Sequence, residues 1–358
     1  MMRALQVQNL SADLSGVSIV DTAIPEPQSD EVLVRIEAAA LGFPDLLMTR
    51  GEYQAKPALP FIPGMEAAGV VVRAKSDGPW REGDRVIAGM LTGGVAQFGC
   101  FPEGALIRLP DRLSMAQGAA LRAAYLTAWV ALVCRGVAQA GEWLLVHWAA
   151  GGVGLAAVDL GVALGLKVIA VASTQEKREA IGGLYKPAHV IDGSAGFREQ
   201  VLTITGGRGV DLVYDPVGGD VFDESTRCIA FDGRLLVVGF AAGRIPQIGA
   251  NIPLIKGFSV VGVRAGEYGR RFPDRGRENI AHILEFADQG RIKPHVHAAF
   301  PLDDWKLAFQ GMEQRSVIGR SVVLPHGRRG TRSARAAQRQ KMGRTVAGAA
   351  LKSLGEDA

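Results

Sequence analysis

Apolar and polar positions change rhythm once along the chain, near Glu142. Before it, Glu31-Val32-Leu33-Val34-Arg35-Ile36-Glu37 alternates polar and apolar residues, the period of a strand with one face buried and one face in water. Gly69-Val70-Val71-Val72 and Asp84-Arg85-Val86-Ile87-Ala88 predict further short strands between turn signals such as Asp77-Gly78-Pro79 and Glu82-Gly83-Asp84. Ala116 to Arg135 is rich in Ala and Leu and has no proline, which predicts a helix.

From Glu142 onward, apolar runs alternate with helical segments. Leu144-Leu145-Val146, Lys167–Ala172, His189-Val190-Ile191, Asp211–Tyr214 and Arg234–Val238 read as strands, with helices at Val153–Leu164 and after Gln175. Strands apolar on both faces and separated by helices imply a parallel sheet covered on both sides. After the strand Phe258–Val263 come a helix near Gly276–Gln289 and a few strands ending at Ser321–Leu324. These are too few for a third domain and are expected to rejoin the first. The chain is thus α/β, with a discontinuous β-rich domain at 1–123 and 264–325 and a doubly wound parallel-sheet domain at 124–263. Residues 326–358 are rich in Arg, Ala and Gly with little to bury, and read as a disordered tail.

Composition narrows the partners. The 358 residues are 48% hydrophobic and 21% charged, an ordinary globular balance. The formal charge of +4 suggests an acidic partner, but eight of the 40 Lys and Arg and only two of the 36 acids lie from His326 onward. Residues 1–325 hold 32 basic against 34 acidic groups, a net of −2, and make no electrostatic case for nucleic acid. Cys100, Cys134 and Cys228 lie far apart with no CxxC spacing. That argues against a disulfide framework or a structural zinc and suits a reducing cytoplasm. The N-terminus has no secretory-type apolar run, and the apolar stretch Leu144–Ala172 is broken by His147, Asp159, Lys167 and glycines. No membrane span of about 20 apolar residues is predicted.

The candidate chemistry sits where the new rhythm begins. Ala149-Ala150-Gly151-Gly152-Val153-Gly154 follows a predicted strand and opens a predicted helix. In that place Gly151 lets the backbone approach a pyrophosphate, Gly154 lets the helix pack on the strand, and the helix N-terminus faces the phosphates. Ala149 stands where the fingerprint has its first glycine. Ala150, Gly151, Gly152, Val153 and Gly154 are therefore expected to hold a dinucleotide. The next strand ends in Ser173-Thr174-Gln175-Glu176-Lys177-Arg178, without the acid that accepts from the ribose of NAD. Ser173 and Thr174 do not repel a 2′-phosphate, and Lys177 and Arg178 supply positive charge within one helical turn. The expected cofactor is NADPH.

Further segments carry a family resemblance. Gly51-Glu52-Tyr53, Leu59-Pro60-Phe61-Ile62-Pro63-Gly64-Met65-Glu66-Ala67-Ala68-Gly69 and Ala124-Tyr125-Leu126-Thr127-Ala128 precede the glycine turn. Val213-Tyr214-Asp215-Pro216-Val217-Gly218-Gly219 and Gly233-Arg234-Leu235-Leu236-Val237-Val238-Gly239 follow it. Together they resemble zinc-independent members of the medium-chain dehydrogenase/reductase superfamily, in the quinone oxidoreductase (zeta-crystallin-like) group. The resemblance implies a GroES-like catalytic domain around an inserted Rossmann nucleotide domain, and a homodimer through the edge strand Phe258–Val263. It implies cofactor contacts at Thr127, Val217, Gly239 and Phe240.

Zinc relatives carry Gly-His-Glu at Gly64-Met65-Glu66, and a thioether does not replace imidazole on zinc. No metal is expected, and the spaced pair His295-x-His297 reads as structural or solvated. Tyr53 matches a Gly-x-Tyr position that in related reductases places a phenol in the active-site cleft as a donor. Asp45 matches the Asp of the family's Asn-x-x-Asp segment, whose Asn position is Gly42 here. Tyr53 and Asp45 are the catalytic candidates, and Arg264 reads as a salt-bridge or solvated cation that would otherwise meet an anionic acceptor. The resemblance implies metal-free hydride transfer from NADPH to a quinone, the cofactor carrying the chemistry. An enoyl- or acryloyl-CoA or enone alkene reductase is the enzymatic alternative. An NADPH-binding structural or RNA-binding protein is the alternative of another class, supported by the basic tail alone.

Overall fold

The computed structural model describes residues 1–327, so the tail expected beyond them lies outside the described residues. Two units divide the described residues: Met1–Leu109, Ser114–Ala120 and the described residues from Val296 onward form one, and Pro110–Leu113 with Leu121–His295 form the other.

The first unit begins with β1 (Met2–Val7), β2 (Val17–Thr22), β3 (Glu31–Leu41), α1 (Phe43–Arg50), β4 (Glu66–Arg73), β5 (Arg85–Gly89), β6 (Phe98–Pro102), β7 (Leu106–Arg108) and α2 (Met115–Ala119). The second holds α3 (Arg122–Trp129), β8 (Trp143–Val146), α4 (Gly152–Ala163), β9 (Lys167–Ala172), α5 (Gln175–Tyr185), β10 (His189–Asp192), α6 (Arg198–Ile204), β11 (Val210–Asp215) and α7 (Gly219–Ser225). It continues through β12 (Ile229–Val237), α8 (Asn251–Lys256), β13 (Ser259–Gly262), α9 (Ala265–Arg271) and α10 (Pro273–Asp288). β14 (Val296–Pro301), α11 (Trp305–Glu313) and β15 (Arg320–Leu324) then complete the first unit.

In the first unit β1 and β2 form a separate pair, and the main sheet runs β14-β15-β3-β4-β5-β7, with β6 also on β3. The alternation read in β3 buries Val32, Val34 and Ile36 with Leu5, Val86, Phe101, Phe300, Trp305 and Phe309. Each such side chain is worth about 1.5–3 kcal/mol of transfer free energy. The far end of β3 runs between β4 and β15, with Ala40 opposite Glu66 and Leu41 opposite Ser321.

The second unit is a wholly parallel sheet in the order β10-β9-β8-β11-β12-β13. Connections from β8 lead both ways, to β9 on one side and eventually to β11 on the other. Such a reversal opens a crevice at the C-terminal strand ends, where dinucleotides bind.

Three expectations change. The single helix read over Ala116–Arg135 is divided: α2 belongs to the first unit, α3 to the second, and α3 runs on into a π-helical turn at Val130–Arg135. Gly118 seats α2 on the β unit, where a Cβ would lie 2.4 Å from Leu109 Cδ1. Ala and Leu favour helix on both sides of the break, so composition hides it. The return to the first unit falls at Val296, not at residue 264. The reason is the apolar face of α10: Trp129 of α3 stacks on His282 at 5.4 Å and meets Phe286 edge-on at 5.5 Å. His326, taken as the start of the tail, is seated in the first unit with Nε2 3.1 Å from the Gln97 carbonyl. No helix of the described residues is long and apolar enough to cross a membrane.

Candidate active site

The candidate residues fall into two groups, one in each unit. In the second, β8 is followed by His147, whose N–H donates to the Tyr214 carbonyl at 3.1 Å. Trp148 then adopts a left-handed φ of 48°, a conformation that costs a residue with a Cβ about 1–2 kcal/mol. Its carbonyl accepts from the Gly151 N–H at 2.9 Å, while the Ala149 N–H donates to Val171 of β9. Gly151 is the N-cap of α4 and offers no side-chain cap, so the first N–H groups of the helix lack intrahelical partners. With the helix dipole they suit a pyrophosphate. Gly154 cannot bear a side chain, because a Cβ would lie 2.3 Å from the Trp148 oxygen. Ala150, Gly151, Gly152, Val153 and Gly154 thus form one backbone cradle.

At the end of β9, Ser173 and Thr174 are exposed. Thr174 caps α5, its Oγ1 accepting from the Lys177 N–H at 3.3 Å. Neither position carries an acid. Arg178, expected to help neutralise a phosphate, instead donates to the Ala172 carbonyl and pairs with Asp192 at 2.9 Å.

The C-terminal ends of β11 and β12 supply the third part. Asp215 is buried, and its Oδ1 accepts from Val217 and Gly218 N–H groups at 2.8 and 2.9 Å. Its Oδ2 has no partner among the described residues, and burial pushes the carboxyl up. Gly218 sits at φ 70°, ψ −153°, a conformation left to glycine. The Ala241 and Ala242 N–H groups donate to Pro216 and Val217 carbonyls, which brings Val217, Gly239 and Phe240 to neighbouring strand ends. Thr127 stands on α3, with its hydroxyl donating to the Ala123 carbonyl at 2.7 Å; its oxygen remains able to accept. The uncapped helix, the glycine approach and the acid-free end of β9 fit a 2′-phosphorylated dinucleotide.

In the first unit the site is built from charges. The Gly42 and Gly64 N–H groups donate to the two oxygens of Asp45 at 2.8 and 2.9 Å. Asp45 is 1% exposed. Burial pushes its carboxyl up to about 6, against the pull of those two N–H groups and Arg320. Asp45 therefore ties the start of α1 to the Gly64 turn, with both carboxylate oxygens engaged. Glu66, equally buried, pairs with Arg320 at 2.7 Å. Tyr53 and Met65 are half-buried against the core of this unit, and the Tyr53 hydroxyl has no hydrogen-bond partner among the described residues. No group of three or more His, Cys, Asp or Glu among the described residues is placed to hold a metal. His297 Nδ1 accepts from the Ile318 N–H at 3.4 Å.

The sequence reading missed three features. Trp148 was passed over because nothing in a tryptophan signals a positive φ. Asp159 registered only as a break in an apolar run; it is buried in α4 and accepts from Tyr125 Oη at 2.5 Å and the Lys293 N–H at 2.7 Å, with its carboxyl pushed up by burial to about 6. Arg320 reaches Glu66 across 254 positions, a pairing visible only once the sheet register is known.

A mixed β unit continued by a doubly wound parallel sheet is the architecture of the medium-chain dehydrogenases and reductases. Comparison with known proteins agrees. Residues 28–111 match the family described as alcohol dehydrogenase GroES-like domain, and residues 152–284 that described as zinc-binding dehydrogenase. Quinone oxidoreductase-like protein 2 homolog of Nematostella vectensis is 38% identical over 299 residues, covering 82% of each chain. A probable oxidoreductase from Mycobacterium abscessus superposes with a TM-score of 0.83 at 36% identity, covering 90% of this chain and 99% of that one. The quinone oxidoreductase of Thermus thermophilus, solved also in complex with NADPH, has a TM-score of 0.79 at 32% identity, covering 90% of this chain and 100% of that one. The chain belongs to the quinone oxidoreductase family of the medium-chain dehydrogenase/reductase superfamily.

Proposed function

We propose that the protein is an NADPH-dependent quinone oxidoreductase that transfers hydride without a metal. The observation that carries this reading is the end of β9, where Ser173 and Thr174 stand in place of a ribose-binding acid and Lys177 follows in the first turn of α5, while α4 begins without a side-chain cap. The NADPH complex of the Thermus thermophilus relative supports it. When bound, NADPH supplies the hydride and its electron pair. The protein's own part is to bind, orient and exclude water. Ala150 to Gly154 receive the pyrophosphate, and Ser173, Thr174 and Lys177 the 2′-phosphate. Thr127, Val217, Gly239 and Phe240 line the remainder of the cofactor site. Tyr53 donates a hydrogen bond to the acceptor from its unpartnered hydroxyl. Met65, where zinc relatives carry histidine, supports chemistry without a metal.

The edge strand β13 supports a homodimer formed by sheet extension. Ser259, Val260 and Gly262 are exposed, and Phe231, packed over Gly257 just before the strand, is 82% exposed. A bare edge beside exposed apolar side chains suits a second copy of the chain. Three unpaired cysteines suit a reducing cytoplasm.

Steady-state NADPH oxidation with benzoquinone, phenanthrenequinone, an enone and crotonyl-CoA tests the reaction. Turnover of the quinones is expected. Turnover confined to the enone or the CoA ester would move the protein to the alkene reductases. NADPH binding without turnover of any acceptor would favour a non-catalytic role.

A further inference from the structure

We infer that the Trp148 indole walls one flank of the pyrophosphate cradle and shields the bound diphosphate from water. This deepens the proposed NADPH site and rests on that reading. Every residue involved lies in the second unit. The turn between β8 and α4 fixes where the indole goes. On one side of Trp148 the His147 N–H donates to the Tyr214 carbonyl, and on the other the Ala149 N–H donates to the Val171 carbonyl, both at 3.1 Å. These bonds tie its two neighbours to β11 and β9, and the backbone turns between them at φ 48°. Glycine takes that conformation freely and asparagine more readily than most, whereas a bulky residue is strained in it. The chain places tryptophan there. Strain of this kind persists only where the surroundings over-determine it, and it gathers at ligand sites.

The two ends of Trp148 face different things. Its carbonyl is turned to the start of α4, accepting from the Gly151 N–H at 2.9 Å and standing 2.3 Å from where a Cβ on Gly154 would be. Its ring stands on the bare side of Gly151, where a Cβ would lie 3.8 Å from Trp148 Cγ and 3.9 Å from Cδ1. Both are ordinary van der Waals separations, so the ring borders that space and leaves room for an atom within it. This is the space that the second glycine of a dinucleotide fingerprint keeps clear for the pyrophosphate. The indole is half-buried there.

The physical gain comes from excluding water. α4 has no side-chain cap, so its first N–H groups are left for the ligand. Hydrogen bonds from such donors to a phosphate oxygen strengthen as the local dielectric falls, and weaken when water competes. An aromatic ring beside the diphosphate removes water from one flank and adds no charge of its own. The ligand class it suits is a diphosphate ester that lies along Gly151. A nucleotide whose only phosphate is on the 2′ oxygen gains nothing from it.

Calorimetric titration of the whole protein with NADPH, 2′-phospho-ADP-ribose and adenosine 2′-phosphate tests this. Trp148→Asn removes the indole and tolerates the positive φ, while Trp148→Phe keeps an aromatic wall. We expect Kd for NADPH and for 2′-phospho-ADP-ribose to rise about tenfold in Trp148→Asn and by less than about threefold in Trp148→Phe, with adenosine 2′-phosphate unchanged in both. Tryptophan emission gives a second readout that does not depend on the Asn variant folding. 2′-Phospho-ADP-ribose, which has no nicotinamide to absorb that light, is expected to change the emission of the native protein and to leave that of Trp148→Phe nearly unchanged. If the native protein binds NADPH, Trp148→Asn matches its affinity and the emission of native protein and Trp148→Phe responds alike, Trp148 does not border the pyrophosphate, while the proposed function stands. Tighter NADPH binding in Trp148→Asn would show that the indole obstructs the cradle, and would also overturn the shielding role. A native protein that binds both diphosphates as expected but turns over no quinone would refute the proposed function and leave the role of Trp148 intact.

Discussion

The nucleotide end of the second unit and the charge cluster of the first are made of opposite materials. Around Gly151 the binding groups are backbone N–H donors, presented by one strand, one turn and one helix within a dozen residues. Around Gly42 they are side chains of Asp45, Glu66 and Arg320, which meet because β3 has β4 on one flank and β15 on the other. A backbone site depends on a few positions where nothing larger than hydrogen fits. A cluster of buried charges depends on its members being present together.

Gly154→Val tests the backbone side most severely. With a Cβ 2.3 Å from the Trp148 oxygen, the start of α4 must move, and NADPH affinity is expected to fall at least about 100-fold, or about 3 kcal/mol. Fluorescence titration checks it; native affinity in this variant would break the comparison. Glu66→Gln tests the other side. It strips Arg320 of its ion-pair partner, and the stability measured by urea unfolding is expected to fall by about 3–5 kcal/mol. Replacing both, as Glu66→Gln with Arg320→Met, should recover most of that loss. If the double replacement is as unstable as the single one, the pair is not the unit of stability.

Asp159→Asn sharpens the picture through pH. The carboxyl of Asp159 is raised to about 6 by burial, whereas the unfolded chain has about 3.9. The folded state therefore holds the proton more tightly. Its stabilising contribution is complete below about pH 4 and is lost as pH rises through about 6. Asn keeps an oxygen for Tyr125 and never ionises, so the variant should gain on the native protein by up to about 3 kcal/mol between about pH 4 and pH 8. Melting curves across that range check it; a difference that does not vary with pH would remove Asp159 from the buried ionisable groups. The smallest effect is expected from Lys177→Ala: NADPH binding weaker by about tenfold, roughly one charge-assisted contact, with NADH unchanged. Equal losses for both cofactors would mean that Lys177 does not read the 2′-phosphate.

What could be read from the sequence follows the same division. The strands at Glu31 and Lys167, the turn at Gly151 and the edge strand near Phe258 are local patterns, and each stands where its periodicity or glycine spacing puts it. The absence of an acid at the end of β9 was legible too, because it turns only on which residue types stand at two neighbouring positions. The break between α2 and α3 was not, since helix propensity is the same on both sides of a boundary set by packing. The return at Val296 was hidden because the apolar stripe of α10 does not say which unit it covers. The burial of Asp45 and its tie to Gly64 were not legible, because that N–H donor comes from a loop 19 residues on that spacing does not reveal. Arg320 looked like the polar start of a strand until the register set it beside Gly42.

The central claim is NADPH-dependent reduction of a carbonyl acceptor without a metal. Its most direct test is kcat/KM for NADPH oxidation by phenanthrenequinone, in protein dialysed exhaustively against a chelator and assayed with and without added zinc. The expected result is full turnover in the dialysed protein, unchanged by zinc. Activity lost on dialysis and restored by zinc would contradict the account.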